Sequence, residues 1–344
     1  EMNVDVELDA VPAEATFTTV DTHTAGEPTR ILLDGVDGST LAGDSVRARR
    51  DSFAAQYDWV RELLMREPRG HDDMFGAVVV DPHDDDADLG VFFLDADGYL
   101  DMCGHGTIGV VSALVELGEL SPDPTVRVET PAGVVEARPR CTEEGVDAVT
   151  LRMVESFVYE TVTVPSPCSD APLPVDVVYA GNFFALVDAD RLDGSLETTS
   201  TDALVEWGLD IRDAVNGRLD VVNPLTGDAA RVSITEIYES GDDADRSIVV
   251  FGDGQVDRSP CGTGTCAKMT LLYETGRLSV GDQYVHESII GTRFQGRIVE
   301  TRERDGVETT VPAITGSARI TGRHTFLKDP RDGLDGFSLS ASDG

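Results

Sequence analysis

The sequence predicts a mixed α/β (α+β) protein built from two pseudo-symmetric halves. Three observations carry that prediction. CGHGTIGVVSALVELGEL, which begins at Cys103, returns as CGTGTCAKMTLLYETGRL at Cys261, 158 residues later, with eight identities in eighteen ungapped positions. Just upstream, DGYLD (97–101) matches DGQVD (253–257), with two extra residues before the second cysteine. Earlier still, AGEPTRILLD (25–34) is echoed by AGNFFALVD (180–188) with one residue deleted. Matches in constant order at a nearly constant offset indicate two equivalent units, and the period is far too long for a solenoid. The expected division is 1–155 plus 318–344 for the half carrying Cys103, and 156–317 for the half carrying Cys261.

Each half reads as strands interleaved with helices. In the first, TFTTV (16–20) and RILLDG (30–35) have the apolar, β-branched character of strands. In residues 45–67, Val46, Phe53, Tyr57, Val60 and Leu64 recur at helical spacing. Ser45 is placed to cap that helix, and Pro68 and Gly70 end it. AVVV (77–80) and VFFLD (91–95) are strands, and the Cys103 segment is a second helix. In the second half, residues 175–181 and 183–188 are strands, 202–216 a helix, 247–252 a strand, and the Cys261 segment a helix closing at Gly276. A link near 150–165 joins the halves. GSARITGRHTFLK (316–328) is expected to return to the first half as strands. Phe183, Phe184 and Cys266 read as core.

The chain has 344 residues, enough for one large or two medium domains. Its net charge is −37, and all but two of its 27 basic residues are arginines; the lysines are Lys268 and Lys328. Such a surface repels nucleic acid and anionic membranes. The acidity is spread along the chain rather than gathered in a tail, which points to a salt-rich cytosol where screening relieves the self-repulsion. Asp84, Asp85 and Asp86 read as a solvated loop. No apolar run reaches the ~20 residues that span a bilayer. Residues 1–14 are acidic and lack the apolar centre of a leader, so a cytoplasmic protein is expected. Five cysteines at these spacings are no disulfide scaffold, and Cys141 and Cys168 have no partner pattern.

Each repeat copy delivers a strand to Asp-Gly-x-x-Asp, then a turn, then Cys-Gly-x-Gly-Thr, then a helix. The first turn of a helix presents free N–H groups and the positive end of its dipole, which together attract an anion. A thiol there is expected to have a lowered pKa. Two such halves face to face would hold one small carboxylate between two helix ends, with a sulfur on either face of its α-carbon. One thiolate could remove the α-proton while the opposite thiol returns a proton to the other face, inverting the centre without cofactor or metal. Other readings of the paired cysteines are inherited packing residues, a structural disulfide, and a zinc site. The zinc site is disfavoured because Cys261 and Cys266 point to different faces of one helix and no C-x-x-C occurs. The glycine runs lack the spacing of a phosphate loop. His105 could cap its helix, and His23 and His71 could be structural or near the site.

MCGHGTIG (102–109) and DRSPCGTGTCAKM (257–269) resemble the two motifs of the proline racemase family, which includes 4-hydroxyproline epimerases and trans-3-hydroxyproline dehydratases. DTHTAGEPTRI (21–31), PRGHDDMFGA (68–77) and AGNFFALVDA (180–189) also look like segments of that family. The resemblance implies a diaminopimelate-epimerase-like fold with the site between its two domains. It implies Cys103 and Cys261 as the acid/base thiols, with Gly104, His105, Gly262 and Thr263 lining the substrate. It gives Asp257 the substrate's ring ammonium. The implied substrate is proline or 4-hydroxyproline. The dehydratases carry threonine where this chain has Cys261, so both cysteines together favour inversion over loss of water. Diaminopimelate epimerase shares a similar second motif but differs in the first. A non-catalytic amino-acid-binding or redox protein would use the same cleft. Proline versus 4-hydroxyproline and the oligomeric state, a homodimer included, are left open.

Overall fold

The computed structural model describes residues 11–122 and 125–339. Residues 1–10, on which the reading of an acidic start rests in part, lie outside the described residues, as do 340–344. The first series of elements is β1 (Ala15–Thr24), β2 (Glu27–Asp34), α1 (Val46–Met65), β3 (Phe75–Val80), β4 (Leu89–Asp95), β5 (Tyr99–Leu100) and α2 (Gly104–Glu116), then β6 (Val126–Thr130), β7 (Gly133–Thr142) and β8 (Gly145–Arg152). Strand β9 (Phe157–Pro165) leads into the second: β10 (Pro172–Tyr179), β11 (Phe183–Asp188), α3 (Thr201–Asn216), the small ribbon β12 (Val221–Val222) and β13 (Ala229–Ala230), β14 (Val232–Glu239), β15 (Asp245–Phe251), β16 (Gln255–Asp257) and α4 (Gly262–Glu274). It ends with β17 (Tyr284–Glu287), β18 (Arg293–Arg304), β19 (Val307–Gly316) and β20 (Ala318–Lys328).

The doubling read in the sequence is a doubling of strand pairing. Strands β2 and β3 pair in parallel, as do β11 and β14. The antiparallel pair β3–β4 has its counterpart in β14–β15, and the parallel pair β4–β6 in β15–β17. The outer strands are exchanged in sequence: β20 pairs with β1, and β9 with β10. The expected return of the 316–328 segment is therefore observed. Strands β8 and β19 pair antiparallel, Leu151 opposite Ile314, and join the two series.

The expected link near 150–165 is corrected: it is the end of β8 and the whole of β9, with a break at 153–156. Residues 126–152 and 284–316, where no elements are expected from the sequence, are mostly antiparallel strands. They were illegible because ribbons such as β7 and β18 are half exposed, which dilutes the apolar period with charge.

Helices α2 and α4 are buried on every side along residues 104–114 and 262–272. Small and apolar residues make that burial feasible. Helices α1 and α3 cover the outside with one apolar stripe each, Phe53, Val60, Leu63 and Leu64 on α1, and Leu204, Ile211 and Val215 on α3. Ser45 caps α1 as expected, accepting from the Ala48 N–H, and Ser200 does the same for α3 through Ala203. One apolar core runs through both halves and contains Cys103, Cys261 and Cys266. Phe183 and Phe184 are core, as the sequence indicated. No described helix is long and apolar enough to cross a membrane.

Candidate active site

Helices α2 and α4 meet end to end at their N-termini. Gly104 and Gly262 touch there: a Cβ added to Gly104 would lie 2.7 Å from the Gly262 Cα, and the reverse substitution would lie 2.6 Å from the Gly104 Cα. Only glycine permits that approach, which accounts for the Cys-Gly pair in both copies. Each cysteine is the N-cap of its helix. Cys103 Sγ accepts from the Gly106 N–H at 3.2 Å, and Cys261 Sγ from the Gly264 N–H at 3.3 Å. Both are free thiols, so the disulfide reading is set aside.

The seven residues that the resemblance implies for the site gather at this junction, and all are buried. His105 Nδ1 lies 3.2 Å from Cys103 Sγ and 3.7 Å from Asp257 Oδ2. Asp257 Oδ1 accepts from the Ser259 N–H at 2.7 Å, and Ser259 Oγ accepts from the Cys261 N–H at 3.1 Å. Thr263 Oγ1 is 3.6 Å from Cys261 Sγ. The edge of the Phe75–His105 ring pair, 4.6 Å between centroids, fixes the imidazole plane. His23 lies in β1, where its Nδ1 accepts the Gly26 N–H at 3.2 Å.

Sequence reasoning missed two residues that tie the site together. Asn182 reaches from the second half to donate to the Met102 carbonyl at 2.7 Å, and its Oδ1 accepts the Asp101 N–H at 3.3 Å. Glu27 reaches from the first half to accept the Arg258 N–H at 2.6 Å. Each holds the approach to the opposite half's cysteine, and the two occupy matching places in AGEP and AGNF. That echo was the available signal. The Arg258–Asp73 ion pair, 2.7 Å, adds a further tie between the halves.

The expected lowering of the thiol pKa values is corrected. Burial pushes both thiols well up, and nearby carboxylates add to it: Asp257 and Glu27 at Cys103, Asp257 and Glu236 at Cys261. The helix N–H groups and Thr263 pull the other way but are outweighed. Burial also lowers the His105 pKa against the opposing pull of Asp257. Burial and the facing carboxylates thus both favour the protonated form of the two thiols.

The model of the family described as proline racemase matches residues 19–338. The chain belongs to the proline racemase family. It is an isomerase, an amino-acid racemase or epimerase. The proline racemase of Acetoanaerobium sticklandii is 38% identical over 93% of this chain and 97% of its own. The 4-hydroxyproline 2-epimerase of Streptosporangium roseum is 40% identical over 94% of this chain and 98% of its own. The solved structure of a hydroxyproline epimerase from Agrobacterium vitis, with bound trans-4-hydroxy-L-proline, superposes with a TM-score of 0.87 at 31% identity, covering 95% of this chain and 96% of that one. A PhzF-family protein of Bacillus anthracis shares the fold at 15% identity and a TM-score of 0.58. The family member described here thus has the two-unit fold that its repeat implied.

Proposed function

We propose that this enzyme inverts the α-carbon of proline or 4-hydroxyproline without a cofactor, using Cys103 and Cys261 as the two acid/base groups. The observation that carries the reading is the meeting of two cysteine-capped helix ends at the Gly104–Gly262 contact. A substrate carboxylate laid across that contact would receive backbone N–H groups from Gly104 and His105 on one side and Gly262 and Thr263 on the other. The same donors would stabilise the charge that builds on the carboxylate as the α-proton leaves. Asp257 would take the ring ammonium.

One sulfur, as thiolate, removes the α-proton; the opposite S–H delivers its own proton to the other face. The sulfurs exchange protonation states in the process, so the enzyme that releases product is the form suited to the reverse reaction. Asp257 has a second part in this reading. Its negative charge holds both thiols up. One thiol gives up its proton to solvent while the halves are apart, and a substrate ammonium seated on Asp257 then neutralises the charge that opposed the thiolate. Because both sulfurs are shielded, substrate enters only when the two halves part, and closure then excludes water. We also read the dispersed acidity as adaptation to a salt-rich cytoplasm.

The test is a panel of L-proline, trans-4-hydroxy-L-proline and trans-3-hydroxy-L-proline followed by polarimetry and by loss of water, in 0.1 M and 3 M KCl. Inversion of the first or second supports the reading. Loss of water from the third without inversion of the others would replace it with a dehydratase, and silence on all three with a binding protein.

A further inference from the structure

Behind Cys261 lies a polar chain that the mechanism above does not use. Thr265 Oγ1 donates to the Cys261 carbonyl at 2.7 Å and lies 3.3 Å from the Pro260 carbonyl. His286 Nδ1 is 2.9 Å from the same oxygen. A hydroxyl has one proton, and here the carbonyls take it, so His286 Nδ1 must be the donor to Thr265. A neutral imidazole then offers only an acceptor at Nε2. The group facing Nε2 is Glu236 Oε1, at 3.4 Å. Both Glu236 oxygens and His286 Nε2 are buried without a hydrogen-bond partner among the described residues, so a proton on Glu236 would supply the donor that Nε2 lacks. Glu236 and His286 are both fully buried. Glu236 Oε2 also presses on the first turn of α4, 2.5 Å from where a Gly264 Cβ would be, and Gly264 is the residue whose N–H holds the Cys261 sulfur.

The chain ends on a strained residue. Cys261 has φ +58°, whereas Cys103 has φ −145° in ordinary extended geometry. Left-handed backbone at a non-glycine residue persists only where its surroundings enforce it.

We propose that Glu236 and His286 are positioning residues for Cys261: a protonated Glu236 completes the hydrogen-bond chain through His286 and Thr265 that holds the Cys261 backbone, and loss of that proton at alkaline pH slows inversion. The inference rests on the reading of Cys261 as an acid/base group. Burial supports the proton's location, raising Glu236 to about 8 and lowering His286 to about 3. The charges that bear on Glu236 are Lys268, which favours its ionisation, and Asp245 and Asp257, which oppose it. The thiols of Cys261 and Cys266 and the hydroxyls of Tyr238 and Tyr284 are neutral neighbours, and each is pushed up by a Glu236 carboxylate. Ionisation of Glu236 therefore both removes the donor to His286 and sets a negative charge behind the sulfur that must become a thiolate.

The test is the pH profile of kcat/KM for wild type, Glu236→Gln and Glu236→Leu from pH 6 to 9.5. The glutamine amide donates to His286 at every pH; the leucine never does. The expected result is that E236L loses tenfold or more in kcat at pH 7 and E236Q recovers most of that loss. The ratio of E236Q to wild type should be flat below pH 7 and climb at least severalfold by pH 9.5. A flat ratio over the whole range, or an E236L enzyme as active as E236Q, overturns the proposal. Should E236L not fold, the E236Q ratio decides alone; should neither fold, a wild-type kcat/KM that does not fall on the alkaline side overturns it and an alkaline fall supports it. A Cys261→Ser control separates the two readings. If C261S remains active, the acid/base role itself fails, and if C261S is dead while the E236Q ratio stays flat, only this inference fails.

Discussion

The two half-sites are equal at the sulfur and unlike one shell behind it. At Gly106 the neighbour is the Phe93 ring, 3.1 Å from a notional Cβ; at Gly264 it is the Glu236 carboxyl. Position seven of the α2 helix is Val110 and its counterpart on α4 is Lys268, whose ammonium lies 3.0 Å over the Tyr238 ring and 3.6 Å from Asp245. In the β4–β6 ladder Leu89 faces Val128; in the β15–β17 ladder Asp245 faces His286. The first half thus backs its cysteine with apolar packing and the second with a buried polar cluster. On the proposed mechanism the symmetry is kept at the two sulfurs that would move protons, and the support behind them is free to diverge. The two extra residues before Cys261 fit that difference, since the second cysteine is reached by a strained turn and needs to be held.

The most severe break of the comparison is at the sulfurs. Cys103→Ser and Cys261→Ser are each expected to lower kcat for inversion by on the order of 10³-fold, within the usual range for loss of a general acid/base. Steady-state polarimetry in both directions checks it, and a large residual activity in only one variant would show the half-sites to be functionally unequal. Next comes the buried lysine. Lys268→Met leaves Asp245 without its cation and is expected to cost ~3–5 kcal/mol of folding stability. Its counterpart Val110→Ala should cost only ~1–3 kcal/mol by loss of packing. Urea melts of both variants measure the difference, and equal losses would remove the distinction drawn between the two supports.

The glycine contact should respond alike from either side. Gly104→Ala and Gly262→Ala each force a Cβ into the facing backbone and are expected to cost ~1–3 kcal/mol while depressing kcat. The cross-half ties should be smaller. Asn182→Ala leaves the Met102 carbonyl and Asp101 N–H without their partner, for ~1–3 kcal/mol, and should raise KM by loosening closure. The least effect per residue is expected from salt. Raising KCl from 0.1 M to 3 M should raise Tm, and an unchanged Tm would contradict the reading of the −37 charge as a salt adaptation.

Local patterns were legible and long-range ones were not. Cys103 and Cys261 stood out because strand, turn, glycines and helix are encoded within a dozen residues, twice. Glu27 and Asn182 did not, because what each touches lies 231 and 80 residues away along the chain. The direction of the thiol pKa shift was misread for the same reason. The helix end is local to the motif, but the burial and the Asp257 carboxylate that outweigh it come from the assembled junction. Strands β7 and β18 are not marked in the sequence because charged residues at their exposed positions dilute the apolar period, while β6 and β19 are largely buried short runs that periodicity does not separate from other core segments. Glu236 sat unnoticed in SITEIYE, where nothing marks a glutamate on a buried strand as different from one on a surface.

The claim most in need of measurement is that two sulfurs serve opposite faces of one carbon. Early-time reaction of L-proline or trans-4-hydroxy-L-proline in D₂O, with mass analysis of both stereoisomers, addresses it directly. Separate acid and base predict that the inverted product carries solvent deuterium from the first turnovers while remaining substrate stays unlabelled. Product that retains the original α-hydrogen, or substrate that gains deuterium as fast as product forms, would contradict the account.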